Sequence, residues 1–391
     1  MKILYKNRRF SGGAPLSLLE YITKAEQKGH NYLVLGEFYQ NEDKYREAGI
    51  KNIIDFPMFS MNSFIKNYFI FLKYYKEILK YSPDIIHAIT LQNLYFTKVI
   101  ADVLNIKTIY TVPGQTVPEY FCDLMKGEEI LVFSDENKRD LIEQGFLDTD
   151  IKVITNRMKF EELQSDNIIK PSSIKIATLI SRLDNDKIKS VNLSIDIVER
   201  LYLEGVNIKL NILGDGEHFV DIKSKAKDLN EKYRTELVLV HGHVSNPKKY
   251  IAQSDIVMGK GRGIIEAIYY KRVCIVINEN NQFKIVAKDN INKLKEFNFS
   301  GRNFEESDKI DELKASIETQ SFSDLEYMRK YIDNNYNSKF LDQAIDNLYT
   351  KAKKTNGKSS MWFPLAFLKL TKGYLNIIYT VYKFKKGVNN E

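Results

Sequence analysis

The sequence predicts an α/β protein made of two Rossmann-like, doubly wound parallel-sheet domains facing a central cleft. Three observations carry that expectation. Short β-branched runs alternate with helix-length segments from residue 2 onward, the spacing of parallel strands joined by crossover helices. The alternation pauses at the polar stretch Gln164–Asn167 and at "KPSS" (Lys170–Ser173), then restarts. A chain of 391 residues also exceeds one ordinary core. The expected domains are residues 1–167, residues 168–350 and a tail, 351–391. A single sheet of ten strands is the alternative, and it fits this length less well.

In the first half, strands are expected at Lys2–Tyr5, Tyr32–Leu35, Ile85–Ala88, Thr108–Val112 and Ile130–Phe133. Helices are expected at Pro15–Lys28, Phe64–Tyr81, Leu91–Leu104 and Glu136–Gln144. In the second half the strands are Lys175–Ile180, Asn207–Leu213, Leu237–Val240, Asp255–Met258 and Val273–Ile277. Their helices lie near Ser190–Glu204, Val220–Tyr233, Lys248–Ala252 and Ile264–Tyr270, and Ser323–Tyr349 reads as a closing helical pair.

Composition narrows the function classes. Hydrophobic content of 43% and charged content of 28% suit a soluble globular chain. Two cysteines, Cys122 and Cys274, allow no disulfide framework and suit a reducing cytoplasm. The start, "MKILYKNRRF", has too short an apolar run for a signal peptide. The net charge of +7 is unevenly placed. From Lys351 onward nine lysines face one acid, Glu391, which leaves 49 bases and 50 acids before it. A balanced body argues against nucleic acid as a partner, and a basic tail argues for an anionic surface.

Within that tail, Met361–Lys386 reads as a helix lying in a membrane interface. At 100° per residue, Phe363, Phe367, Leu370, Tyr374, Ile378, Val381 and Phe384 share one face, opposite Lys369, Lys372, Asn376 and Lys383. The two inner lysines make spanning costly. A helix packed on the body with its lysines in solvent is the plainer reading. Phe64–Tyr81 repeats the pattern, with Phe64, Tyr68, Phe71, Leu72, Tyr75, Ile78 and Leu79 on one face and Lys66, Lys73, Lys76 and Lys80 on the other. A crossover helix also needs such an apolar stripe.

Four stretches are candidates for chemistry. In "RRFSGGAPLSLLEYI", Gly12 and Gly13 follow the first strand and open a helix. Glycines there let a ligand approach the backbone, and the helix start favours an anion. A tight turn explains them equally well. In "ISRLDNDKIKS", Arg182 and Lys187 follow a parallel strand and are placed to neutralise a diphosphate, although a solvated basic loop has the same spacing. In "LNILGDGE", Gly214, Asp215, Gly216 and Glu217 form a sharp sheet exit that reads as a platform for a nucleotide base or as a plain turn. In "GKGRGIIEA", Gly261 and Arg262 precede Glu266, which is expected in the first helical turn, either as a cap or as a partner for ribose hydroxyls. "DTD" (Asp148–Asp150), "DND" (Asp184–Asp186) and the pair His241 and His243 read as loops, so no metal site is expected.

Taken in order, "GGAPLSLLEYITKAEQKGHNYLVL", "PDIIHAIT", "ISRLDNDK", "ILGDGE", "VHGHVSN", "SDIVMGKGRGIIEAI" and "VCIVI" resemble one family over nearly all of residues 1–350. The chain looks like a retaining glycosyltransferase of the GT-B fold, in the large family 4 or "group 1" set. That resemblance implies that Gly13 lies against donor phosphates and that Arg182 and Lys187 bind the donor diphosphate. It also implies that Gly214–Glu217 sit near the base and that Glu266 holds the ribose. No metal or cofactor is implied, because the basic pair stabilises the charge on the departing diphosphate. The sequence departs from the family twice. Met258 stands where the first acid of a glutamate pair is usual, and Pro113 in "TVPG" stands where a histidine is common. Lys260 and Arg262 are placed to supply the lost contacts.

The implied activity is sugar transfer from a nucleotide-diphosphate donor to a lipid-linked or saccharide acceptor, at the inner face of a cell membrane, in envelope or capsule synthesis. A catalytically silent partner subunit and a sugar-nucleotide epimerase of the same fold are the alternatives.

Overall fold

The structure is a computed structural model, and it describes residues 1–10, 12–39, 42–57, 63–89, 94–114, 122, 125–160, 173–319, 321–351 and 368. The chain divides into two compact units. One is Met1–Met158 together with the chain from Ser338 onward, and the other is Lys159–Asn337.

The first unit holds strands β1 (Lys2–Arg9), β2 (Asn31–Glu37), β3 (Ile53–Asp55), β4 (Ile85–Ile89), β5 (Lys107–Val112), β6 (Glu129–Val132) and β7 (Ile151–Val153). Its helices are α1 (Gly13–Gln27), α2 (Glu42–Glu47), α3 (Phe64–Tyr81), α4 (Leu94–Leu104) and α5 (Asp135–Glu143). The sheet order is β3-β2-β1-β4-β5-β6-β7, parallel throughout. Helices cover both faces, so the central strands are buried at consecutive positions, as in "IIHAI" of β4, which is apolar apart from His87 and buried at every residue.

The second unit holds β8 (Lys175–Ile180), β9 (Ile208–Leu213), β10 (Val238–Gly242), β11 (Ile256–Gly259), β12 (Val273–Ile277) and β13 (Phe283–Ile285). Its helices are α6 (Ile188–Leu203), α7 (Phe219–Tyr233), α8 (Pro247–Gln253), α9 (Arg262–Tyr269), α10 (Ile291–Glu296), α11 (Ile310–Thr319) and α12 (Phe322–Tyr336). The order is β10-β9-β8-β11-β12-β13, parallel except for the antiparallel edge strand β13. The winding reverses between β8 and β11, and in such sheets that point opens a crevice outside the carboxyl ends of the strands.

The expected fold class is therefore observed as two parallel-sheet α/β units. Three expectations are corrected. First, the chain leaves the first unit after Met158 rather than at 167, and it returns at Ser338 rather than continuing to 350. The expected closing pair is thus split. α12 belongs to the second unit, while helix α13 (Leu341–Lys351) packs on α1 of the first. Leu341, Ile345, Leu348 and Tyr349 of α13 are fully buried in one cluster with Ile3, Tyr5 and Ile22, each worth about 1.5–3 kcal/mol of apolar burial. Lys28 and Asp346 close the contact at 2.5 Å.

Second, α3 buries Asn67, Ile70, Phe71, Tyr74 and Ile78, whereas Ile65, Phe69 and Leu79 are exposed beside Lys66, Lys73 and Lys80. Its inward face is thus rotated from the expected stripe. Third, β3, β7 and β13 were not anticipated. Each has three residues and one neighbouring strand, too short to show a period. Apart from Leu368, the Met361–Lys386 segment lies outside the described residues, as do positions 91–93 of the expected fourth helix.

Candidate functional site

The candidate site is the carboxyl edge of the second sheet. Four loops meet there, after β8, β9, β11 and β12. The loop after β8 is tied to the loop after β9 by its backbone. Leu183 N donates to Asp215 O at 3.0 Å, and His218 N donates to Leu183 O at 2.9 Å. This close approach is what the glycines serve. A Cβ on Gly214 would lie 1.7 Å from Ser181 O, and one on Gly216 would lie 2.5 Å from Asp184 Oδ1. Glu217 is used in the same join, its Oε1 accepting from Asn185 N at 3.1 Å. Asp215 Oδ1 accepts from Gly216 N at 2.8 Å. The first duty of Gly214, Asp215, Gly216 and Glu217 is thus to brace the Arg182 loop.

That brace presents Arg182 and Lys187. Arg182 Nη1 pairs with Asp184, and its Nη2 lies 3.3 Å from Asp186 Oδ2. Lys187 Nζ lies 3.0 Å from the same Asp186 oxygen. One carboxylate therefore holds the two cations near each other while their side chains stay 51% and 30% exposed, within reach of a ligand. Burial works to raise the Asp186 pKa, but Lys187 and Arg182 outweigh it and hold the carboxyl below its usual range. The acids of "DND" are committed to these cations. Among the described residues no cluster of three or more His, Cys, Asp or Glu is placed to hold a metal ion.

On the other side of the reversal, β11 passes through Lys260 and Gly261 directly into α9. Gly261 is the N-cap at φ 53°, a left-handed conformation that suits glycine, and its N–H donates to Phe299 O at 2.9 Å. Glu266 is in the second turn of α9, not the first. A dipole cap is therefore not its role. It is 8% exposed, and its Oε1 lies 3.2 Å from Arg262 Nε, one turn earlier. An enclosed carboxylate oriented by a guanidinium is suited to accept hydrogen bonds from paired hydroxyls. Met258 is fully buried in the core of this unit, packed in one cluster with Leu179 and Ile275, so its side chain does not line the loops.

The sequence reading missed Glu279, which follows β12. Its Oε1 lies 3.1 Å from Lys187 Nζ, and its Oε2 pairs with Lys260. Burial lowers the Lys260 pKa, Glu279 opposes that effect, and Lys187 and Arg302 add to it. The signal was available: Glu279 lies two residues beyond a parallel strand, the same position rule that singled out Arg182. The structure thus brings Arg182, Lys187, Lys260, Arg262, Glu266 and Glu279 to one sheet edge. Gly12 and Gly13 belong to the first unit, where Gly12 precedes α1 in a left-handed conformation (φ 75°).

The sequence matches no protein-family model and no curated protein sequence. Solved structures do match. A glycosyltransferase from Rickettsia africae ESF-5 superposes with a TM-score of 0.67 at 18% identity, covering 91% of this chain and 99% of its own. Alr3699/HepE from Anabaena, in complex with UDP and glucose, gives 0.67 at 15% identity, covering 90% of this chain and all of its own. UDP-GlcNAc 2-epimerase from Neisseria meningitidis, bound to UDP-GlcNAc, gives 0.57 at 13%, covering 90% and 99%. The fold is that of the GT-B glycosyltransferases. At these identities the likeness concerns architecture, and the chemistry rests on the side chains above.

Proposed function

We propose that this chain is a glycosyltransferase of the retaining, family 4 type. In this reading it moves a sugar from a nucleoside-diphosphate donor to a lipid-linked or saccharide acceptor without a metal ion. The observation that carries it is the meeting of Arg182, Lys187 and the Arg262–Glu266 pair around the strand reversal of the second sheet. Breaking the bond between sugar and diphosphate leaves negative charge on the diphosphate oxygens. Arg182 and Lys187 stabilise that charge, and because they are already oriented by Asp186 they need little reorganisation when it develops. Glu266, held by Arg262, accepts the ribose hydroxyls. Gly12 and Gly13, ahead of α1, offer backbone that a phosphate group can approach.

A thermal-shift screen of nucleoside diphosphates and their sugars tests this, since a ligand of the folded state raises the melting temperature by mass action. Selective stabilisation names the base, and its loss in Arg182→Ala and Lys187→Ala supports the site. Unchanged stabilisation in both variants overturns it. The epimerase likeness motivates one rival activity, which predicts a converted donor sugar without any acceptor. The silent-subunit rival predicts nucleotide binding with no turnover.

The acceptor reading places the enzyme in the cytoplasm, on the inner face of the membrane, in envelope or capsule synthesis. Two features support it. The sequence of Met361–Lys386 is basic and aromatic, and α3 exposes Ile65, Phe69 and Leu79 along a lysine flank. No helix among the described residues is long and apolar enough to cross a membrane. Truncation after Thr350 is expected to abolish sedimentation with anionic vesicles, and Phe69→Glu to weaken it. Unchanged sedimentation of the truncated chain removes the tail from the account.

A further inference from the structure

Glu279 divides its two carboxylate oxygens between two ammonium groups, Oε1 on Lys187 at 3.1 Å and Oε2 on Lys260. The loop that carries it is closely braced. Asn278 is 4% exposed, and its Nδ2 donates to Gln282 Oε1 at 2.9 Å and to Gly301 O at 3.1 Å. Its Oδ1 accepts from Asn280 N at 2.9 Å and from Gln282 N at 3.0 Å. Asn281 completes the turn in a left-handed conformation, φ 59°. The Glu279 side chain itself is 40% exposed, while Lys187 and Lys260 are 30% and 19% exposed. A carboxylate on a braced loop but reachable from solvent is placed to exchange its cations with an incoming anion.

We propose that Glu279 is a built-in competitor of the donor diphosphate for Lys187 and Lys260, so that its charge sets how tightly the nucleotide is held and how fast the product leaves. This rests on the diphosphate reading above. Two physical effects follow from the arrangement. The carboxylate keeps two like charges together that would otherwise repel, which preserves the seat for phosphate oxygens. It also stays within reach of those amines after displacement, and a tethered group acts at an effective concentration on the order of millimolar. Recapture of the lysines by Glu279 then favours departure of the nucleoside diphosphate. Lys260 thereby acquires a role that the family resemblance did not supply.

The test is calorimetric titration of the full chain with inorganic pyrophosphate and with UDP, at low salt, for wild type, Glu279→Gln, Glu279→Ala and Lys187→Ala. The melting temperature of each variant confirms that it is folded. With the competing charge removed, both Glu279 variants are expected to bind the probes roughly three- to tenfold tighter, while Lys187→Ala loses binding. Tighter binding is the decisive sign, because a residue that only positions the lysines would weaken binding on removal. Equal or weaker binding in both Glu279 variants, with Lys187→Ala still deficient, overturns the competitor role and leaves the diphosphate site standing. Binding in Lys187→Ala equal to that of wild type overturns the site reading and the inference with it.

Discussion

Each unit carries a cluster of polar side chains, and the two clusters handle charge in opposite ways. In the first, His87 lies fully buried between Tyr349 Oη (3.0 Å from Nδ1) and Thr111 Oγ1 (2.8 Å from Nε2), and Tyr349 Oη lies 3.0 Å from Tyr5 Oη. Burial lowers the His87 pKa to about 3 and raises those of both tyrosines, so every member is neutral near pH 7. In the second, Arg182, Lys187, Lys260, Asp186 and Glu279 are partly exposed and pair with opposite charges. Burial without a counter-charge removes charge, whereas partial exposure with a counter-charge preserves it. The neutral cluster fastens α13 to the first sheet, and the charged one can exchange partners.

Acid should expose this difference most strongly. The folded His87 pKa is about 3 against an ordinary 6.5, so between those values the unfolded chain binds the extra proton. The stabilising effect is fully present above pH 6.5 and is lost as pH falls toward 3. At about 1.36 kcal/mol per unit, the loss by pH 4 is roughly 3 kcal/mol. Denaturant unfolding of wild type and His87→Gln at pH 7, 5 and 4 checks it, since glutamine cannot take the proton and that part of the slope should vanish. Parallel slopes would break the contrast on the neutral side.

The charged side is broken most directly at Lys187. Lys187→Ala is expected to lower kcat/KM about a hundredfold, or about 2.7 kcal/mol, by removing a preorganised cation. Steady-state kinetics with the donor found by the thermal screen measures it, and a change of less than about threefold would place the chemistry elsewhere.

Lys6 sharpens the comparison as an amine inside the first unit with no carboxylate bonded to it among the described residues. It is fully buried, its Nζ donates to Asn7 O at 2.7 Å, and it lies 5.0 Å from the centre of the Phe56 ring. Burial lowers its pKa from 10.5 to about 7, with Glu37 opposing. Between those values the unfolded chain again binds more protons, so this penalty fades as pH rises to 10.5. Lys6→Met is therefore expected to stabilise the protein by about 2 kcal/mol at pH 7, with the difference closing near pH 10.5. A destabilised variant at pH 7 would show that the amine is satisfied where it lies. The smallest effect is expected from Tyr349→Phe, about 1 kcal/mol, with nucleotide-induced stabilisation unchanged.

Much of the scaffold was legible because short strand-like runs of four to seven residues alternated with helix-length segments. That pattern located β1, β2, β4–β6 and β8–β12 within a few residues. The three short edge strands were invisible, since three residues with one neighbour carry no period. The closing helix was assigned to the wrong unit because an apolar stripe states that a helix packs and does not state against what. The stripe of α13 finds its partners in Tyr5 and His87, 344 and 262 residues earlier.

By itself, the sequence determined the α/β class, the two sheets and the edge that carries Arg182, Lys187 and Glu266, because hydrophobic period and strand-end position are local properties of the chain. Tertiary structure alone decided that the glycines of "GDG" make room for the Ser181–Leu183 backbone, that Met258 faces the core, and that Glu279 joins Lys187 to Lys260. Each depends on which loops lie side by side at the sheet edge. That placement follows from strand order, which the packing of the whole unit selects.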